Sequence, residues 1–138
     1  MNKLNLSTDS FEDTMMLGVE FSQNLKRGDI IGLVGDLAAG KTTFVKGVLK
    51  GIGYKYTVSS PTFTLINNYE AEVNVMHVDF YREPNINRWI DLGFRELLYN
   101  SGLVLIEWAD LIPDLIPSEA IILKFEHINE NERKIYTL

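Results

Sequence analysis

The chain has 138 residues, 46% of them hydrophobic, and a net charge of −6. That length suits one domain with a real core, and the acidic balance argues against a general nucleic-acid-binding surface, which would be basic. The absence of cysteine excludes a disulfide framework and a thiolate zinc site. No apolar run approaches the ~20 residues of a membrane helix, so no membrane association is expected. The N-terminal Met1-Asn2-Lys3-Leu4-Asn5-Leu6-Ser7 lacks a secretory apolar core, and the expectation is a soluble, cytoplasmic protein.

Ser10 with Asp13 resembles a helix-start capping pair, and Phe11, Met15 and Leu25 share a face with the small residues Gly18 and Ser22. This predicts a closely packed helix near residues 10–27. The short apolar run Ile30-Ile31-Gly32-Leu33-Val34 then leads into Gly35-Asp36-Leu37-Ala38-Ala39-Gly40-Lys41-Thr42. This octapeptide satisfies G-x-x-x-x-G-K-[ST], the phosphate-binding loop pattern. The pattern arises by chance about once in two hundred chains of this length, so context decides its weight. Here Thr43 to Leu49 follows with helical spacing of Phe44, Val48 and Leu49, so strand, glycine loop and helix come in the required order. Backbone N–H groups of such a loop converge with a helix N-terminus on a concavity suited to phosphate oxygens. Gly35 and Gly40 permit close backbone approach, Lys41 supplies a mobile charge for the β- and γ-phosphates, and the Thr42 hydroxyl is a Mg²⁺ ligand in this pattern. A plain strand-to-helix turn would need neither Lys nor Thr there.

Gly51 and Gly53 end that helix, and Val58-Ser59-Ser60-Pro61-Thr62 reads as a loop. Thr64 to Glu70 and Val73 to Phe80, separated by Ala71-Glu72, suggest an antiparallel hairpin with a tight connection. Arg88 to Asn100, carrying Trp89, Leu92, Phe94, Leu97 and Leu98, predicts one helix stopped by Ser101-Gly102. Leu103-Val104-Leu105-Ile106 has the continuous apolar character of a strand buried on both faces. Ile121 to Phe125 and Lys134 to Leu138, flanking Asn129-Glu130-Asn131-Glu132, suggest a terminal hairpin. The whole reads as a single α/β domain of the P-loop NTPase type over residues 1–138, with a mixed parallel and antiparallel central sheet flanked by helices.

A phosphate loop needs a second metal anchor, normally an acidic residue at the carboxyl end of a neighbouring strand. Asp79 ends one apolar strand and Glu107 another, and either could hold Mg²⁺ or orient a water. Ser60-Pro61-Thr62-Phe63 occupies the place of a switch loop that senses a γ-phosphate, where Thr62 could offer a hydroxyl; a proline-stiffened turn is the plainer alternative. His77 reads as a packed or hydrogen-bonding strand residue, Trp108 as core or contact surface, and Arg82 as a partner for phosphate, RNA or a carboxylate.

Gly35-Asp36-Leu37-Ala38-Ala39-Gly40-Lys41-Thr42-Thr43, Ser60-Pro61-Thr62-Phe63, His77-Val78-Asp79-Phe80-Tyr81-Arg82 and Leu105-Ile106-Glu107-Trp108 together resemble the TsaE (YjeE) family of bacterial P-loop ATPases, in order and spacing, over nearly the whole chain. The resemblance implies a protein required for the threonylcarbamoyladenosine (t6A) modification of tRNA at position 37. It implies ATP and Mg²⁺ as ligands and the TsaD–TsaB dimer as partner, with tRNA met only indirectly. By motif, Lys41 and the loop from Gly35 through Asp36, Leu37, Ala38, Ala39 and Gly40 would bind ATP phosphates together with Thr43. Thr42 and Glu107 would hold Mg²⁺, Asp79 would support the metal or the attacking water, and Thr62 would belong to a switch-like loop. Arg133 matches a family position near the nucleotide base. Ala38 stands where the family usually has Gly, which costs about 1 kcal/mol if φ there is positive.

The leading expectation is thus a Mg²⁺-dependent ATPase of low turnover, with Lys41, Asp79 and Glu107 as its catalytic groups, acting on or activated by partner proteins. A small-molecule kinase and a nucleotide-gated protein-binding module are the alternatives, and no N-K-x-D guanine-selecting motif is present.

Overall fold

Alternation of side chains along three buried strands sets the architecture. In the computed structural model, which describes residues 4–36, 39–56 and 65–138, strands β1 (Asn5–Thr8), β2 (Ile30–Gly35), β3 (Ile66–Tyr69), β4 (Val75–Asp79), β5 (Leu103–Glu107), β6 (Ile121–His127) and β7 (Arg133–Thr137) form one sheet in the order β1-β7-β6-β2-β5-β4-β3. The centre, β6-β2-β5-β4, is parallel; β7 joins β6, β1 joins β7 and β3 joins β4 antiparallel. Successive residues of a strand point to opposite faces. Ile31, Leu33, Leu103 and Leu105 therefore enter the core under helices α1 (Phe11–Ser22) and α2 (Lys41–Gly51). Ile30, Val34, Val104 and Ile106 enter the core on the other side, under α3 (Ile86–Asp91) and α4 (Phe94–Asn100).

Phe44 of α2 is fully buried, with its ring 5.5 Å from Phe21 of α1 and 5.3 Å from Phe125 of β6. Burying side chains of this size contributes roughly 1.5–3 kcal/mol each, which fixes α2 against the sheet and hence the loop before it. The two helices touch through backbone. A Cβ on Gly47 would collide with the carbonyl of Met15, and one on Gly18 with the carbonyl of Phe44.

The predicted closely packed first helix is present but shorter, ending at Ser22 instead of residue 27. There the Ser22 hydroxyl turns back to the carbonyl of Val19, and the Asp29 carboxylate accepts from the amide of Lys26 to steer the chain into β2. Of the predicted face Gly18 and Ser22 are buried, together with Thr14, Leu17 and Phe21, while Met15 and Leu25 are half-buried and Phe11 is exposed. The helix predicted over 88–100 is two helices, because Gly93 takes φ +75° between Leu92 and Phe94. The hairpin of β3 and β4 pairs Tyr69 with Val75, so its connection spans residues 70–74 and not Ala71-Glu72 alone; Thr64 lies outside the described residues. Strand β1 and the 3-10 turns Ala109–Leu111 and Pro113–Leu115 were not anticipated. The terminal hairpin and the doubly buried β5 are as expected.

Candidate functional site

The parallel strands β2, β4 and β5 end together. Register pairs Leu33 with Glu107 and Asp79 with Glu107, so the glycine loop after β2 and both acidic strand ends meet at one edge, where α/β sheets open their ligand crevice. Gly35 leaves β2 in van der Waals contact with β6: a Cβ there would strike the carbonyl of Phe125. Gly40, at φ +99°, is the N-cap of α2, a left-handed conformation that glycine adopts without penalty. No side chain caps this end, and it is at helix N-termini that backbone amides hold anions.

Lys41 folds back over this loop. Its Nζ donates to the carbonyls of Gly35 at 2.6 Å and Asp36 at 2.8 Å, and lies 4.2 Å from the centre of the Trp108 ring. Burial pushes its pKa below the ordinary lysine value, against the pull of Glu107, Asp110, Asp36 and Asp79. Trp108 is the non-glycine residue with positive φ (+59°) among the described residues. Such outliers gather at functional sites, where the surroundings hold them. Here the conformation places the indole between Lys41 and Tyr81, whose ring centroid is 4.9 Å away.

Glu107 is the hub. Its Oε1 accepts from the Thr42 hydroxyl at 3.0 Å and its Oε2 lies 2.6 Å from His77 Nε2. His77 is fully buried, and its Nδ1 finds no partner among the described residues. With Nε2 donating to the Glu107 carboxylate, the ring is in the tautomer that leaves no buried donor unpaired. Asp79 sits beside Glu107. Burial, with the neighbouring Glu107 charge, pushes its carboxyl above the ordinary carboxylate range, opposed by the bond its Oδ1 accepts from the Tyr81 amide at 2.9 Å. Arg82 is exposed and acts on Asp79 only through charge.

The donor set fits Mg²⁺ as a shared ion. Among the described residues no three His, Asp or Glu side chains converge on a point that could cage a metal. Mg²⁺, however, characteristically takes one or two protein oxygens and completes its shell with water and phosphate. The Thr42 hydroxyl and Glu107 carboxylate, already in contact at the N-terminus of α2, are such a pair of hard oxygens.

A cleft of about 370 Å³ opens beside this cluster, lined among others by Phe11, Gly40, Thr42, Thr43 and Arg133, a volume within the range of small-ligand sites. Lys41, Thr42, Asp79 and Glu107 thus come together, and Gly40, Thr43 and Arg133 meet at the adjoining cleft. The Arg133 guanidinium is held at its wall by the carbonyls of Asn129 at 2.8 Å and Glu132 at 3.1 Å. Ala39 is buried behind the loop and Asp36 contributes a carbonyl. Leu37, Ala38 and Thr62, with the Ser60–Phe63 loop, lie outside the described residues. Sequence reasoning missed Phe11 as a cleft residue: Ser10 caps α1 through the Asp13 amide, which sets Phe11 at the first helical position facing outward. It also missed His77 as the partner of Glu107, for which no sequence signal existed beyond the shared strand face with Asp79.

Residues 8–135 match the family model described as threonylcarbamoyl adenosine biosynthesis protein TsaE. The tRNA threonylcarbamoyladenosine biosynthesis protein TsaE of Aquifex aeolicus is 40% identical over 130 residues, covering 92% of this chain and 90% of that one. Its namesake in Bacillus subtilis is 37% identical over 136 residues, covering 98% and 85%. The crystal structure of Bacillus subtilis YdiB superposes with a TM-score of 0.84 at 33% identity, covering 99% of this chain and 84% of that one.

Proposed function

The chain belongs to the TsaE family, and on that premise we propose that it is a low-turnover, Mg²⁺-dependent ATPase that supports tRNA t6A modification together with TsaD and TsaB. The observation that carries the reading is the 3.0 Å contact between the Thr42 hydroxyl and Glu107, which joins the phosphate-loop threonine to an acidic strand end with Lys41 buried alongside.

In this reading the loop amides and the N-terminus of α2 receive the ATP phosphates. Lys41 exchanges its carbonyl partners Gly35 and Asp36 for phosphate oxygens, a trade in which an ammonium loses no hydrogen bond. Trp108 keeps its face under the ammonium and limits where it can move. Thr42 and Glu107 would hold Mg²⁺, and the ion there would supply positive charge against that spreading over the γ-phosphoryl group. His77 fixes the Glu107 carboxylate from behind. Asp79, whose raised pKa leaves it a better proton acceptor than an ordinary carboxylate, orients the attacking water. The cleft between Phe11 and Arg133 receives the base: an exposed aromatic ring can stack on it, and the guanidinium lies at the same wall.

The test is ATP hydrolysis by the protein alone and with the TsaD–TsaB pair. Basal turnover should be slow and rise on adding the pair, and Lys41→Ala should lower it by about 100-fold or more, the cost of removing a preorganised charge donor. An unchanged rate in Lys41→Ala, or phosphate appearing on a metabolite instead of in solution, would sink the assignment.

A further inference from the structure

The far end of α2 carries a second concentration of chemistry that the nucleotide site does not use. A cleft of about 610 Å³ is lined by Lys46, Lys50, Gly53, Tyr54, Lys55 and Tyr56. Lys46 and Lys50 are one helical turn apart on the same face of α2, and Lys55 follows the end of the helix. Tyr56 is 77% exposed, yet its ring is held edge-on to Tyr54 at 5.6 Å, and Tyr54 is anchored on Tyr69 at 4.9 Å. Among the described residues no lining residue is acidic; Glu72 stands beside Gly53.

Plainer accounts explain only part of this. Lys50 in the last turn offsets the negative end of the α2 dipole, but that leaves Lys46 and Lys55 unexplained. A large exposed aromatic ring beside three ammonium groups, in a chain of net charge −6, is the pairing that single-strand-binding grooves use: cations for the backbone and an aromatic face for a base. An acidic protein partner would satisfy the lysines but leave the fixed, open face of Tyr56 without a matching group. The i, i+4 lysines lie about 5–6 Å apart at Cβ, close enough to meet neighbouring phosphates of an extended strand. RNA bases outside helices are the ones open to stacking by protein aromatics.

We propose that this cleft binds an unpaired segment of RNA, with Lys46, Lys50 and Lys55 on the phosphates and Tyr56 stacked on a base. The proposal is independent of the ATPase reading, because none of these residues lines the cleft of Arg133 or is among the partners of Lys41 and Glu107 given above.

The experiment measures fluorescence anisotropy of a labelled, unstructured RNA oligonucleotide titrated with the full-length protein, with labelled polyglutamate as the competing polyanion. Expected is RNA binding whose affinity falls with salt at a log–log slope near −2, three phosphate contacts at about −0.7 each. Polyglutamate should bind more weakly. Lys50→Glu with Lys55→Glu should lower RNA affinity at least tenfold and flatten the slope. Tyr56→Ala should lower affinity roughly tenfold while leaving the slope unchanged, since stacking releases no counterions. Both variants should keep the wild-type melting temperature and basal ATP hydrolysis, so a failure here is separable from a failure of the nucleotide site. Affinity unmoved by these substitutions, or polyglutamate binding as tightly as RNA, overturns the proposal.

Discussion

Helix α2 holds lysines in opposite circumstances at its two ends. At the N-terminus Lys41 is 5% exposed, tied to two carbonyls and an indole, with its pKa pushed down by burial. At the C-terminus Lys50, with Lys55 just beyond the helix, stands in solvent beside an exposed tyrosine. The difference teaches what a lysine costs and what it is for. An exposed ammonium is nearly free to carry and acts at long range, subject to salt. A buried one is carried only where a network of carbonyls and carboxylates offsets its desolvation, and such expense concentrates where chemistry needs a charge in a fixed place.

The sharpest way to break the comparison is to move the helix that bears both ends. Gly47 sits at mid-helix against the Met15 carbonyl, so Gly47→Ala must push α1 and α2 apart. It should destabilise the protein by about 3 kcal/mol, as overpacking does, seen as a lower denaturant midpoint. ATP hydrolysis should fall even where the protein remains folded, because the phosphate loop enters α2 directly. An unchanged midpoint would mean that the two helices are less tightly docked than the backbone contact indicates.

His77 separates the ends instead. It bonds to Glu107 and lines no part of the far cleft, which it reaches only through Tyr69, its ring neighbour at 6.2 Å and the anchor of Tyr54, so His77→Asn should raise the Mg²⁺ concentration needed for half-maximal ATP hydrolysis by about tenfold, the usual cost of losing a residue that orients a metal ligand. RNA binding at the far cleft should stay as it was. A variant whose Mg²⁺ requirement does not move would show that Glu107 is held without the imidazole.

Much of this site was legible beforehand, for a physical reason. The strand–loop–helix around 30–49 and the doubly buried β5 announce themselves through local periodicity and the phosphate-loop pattern, and the structure has both. What escaped depends on partners distant in sequence. Strand β1 is an edge strand with Leu6 about half exposed, and it exists through pairing with β7; Asn5-Leu6-Ser7-Thr8 has no pattern of its own. His77 meets Glu107 only because the parallel register of β4 and β5 aligns Asp79 with Glu107. The left-handed Trp108 is equally silent in sequence, since non-glycine residues rarely adopt that conformation. Gly93, by contrast, was visible, but a single glycine inside an apolar helical pattern does not say whether it bends the chain or breaks it.

The smallest effect tests the premise that the N-terminal end is electrostatically expensive. Burial holds the Asp79 carboxyl above its ordinary pKa of 3.8, so the folded protein binds this proton more tightly than the unfolded chain does. Below the ordinary value both states are protonated and the group costs nothing. As pH rises from 3.8 through the raised folded value, the unfolded chain ionises first and stability is lost, and above that window the full cost persists at neutrality. Lys41 adds a cost of the same kind, since its lowered pKa penalises the ammonium at every pH below the folded value. Asp79→Asn removes the first cost while its amide oxygen can still accept from Tyr81. The variant should therefore be more stable than the parent at pH 7 by roughly 0.5–2 kcal/mol, a gain typical of relieving strain at a functional site. The gain should shrink as pH falls toward the ordinary carboxylate range, while ATP hydrolysis drops. Thermal melts of both proteins across that range decide it: a gain that is independent of pH would place the cost of Asp79 in packing and not in charge, and the contrast between the two ends of α2 would then lose its electrostatic basis.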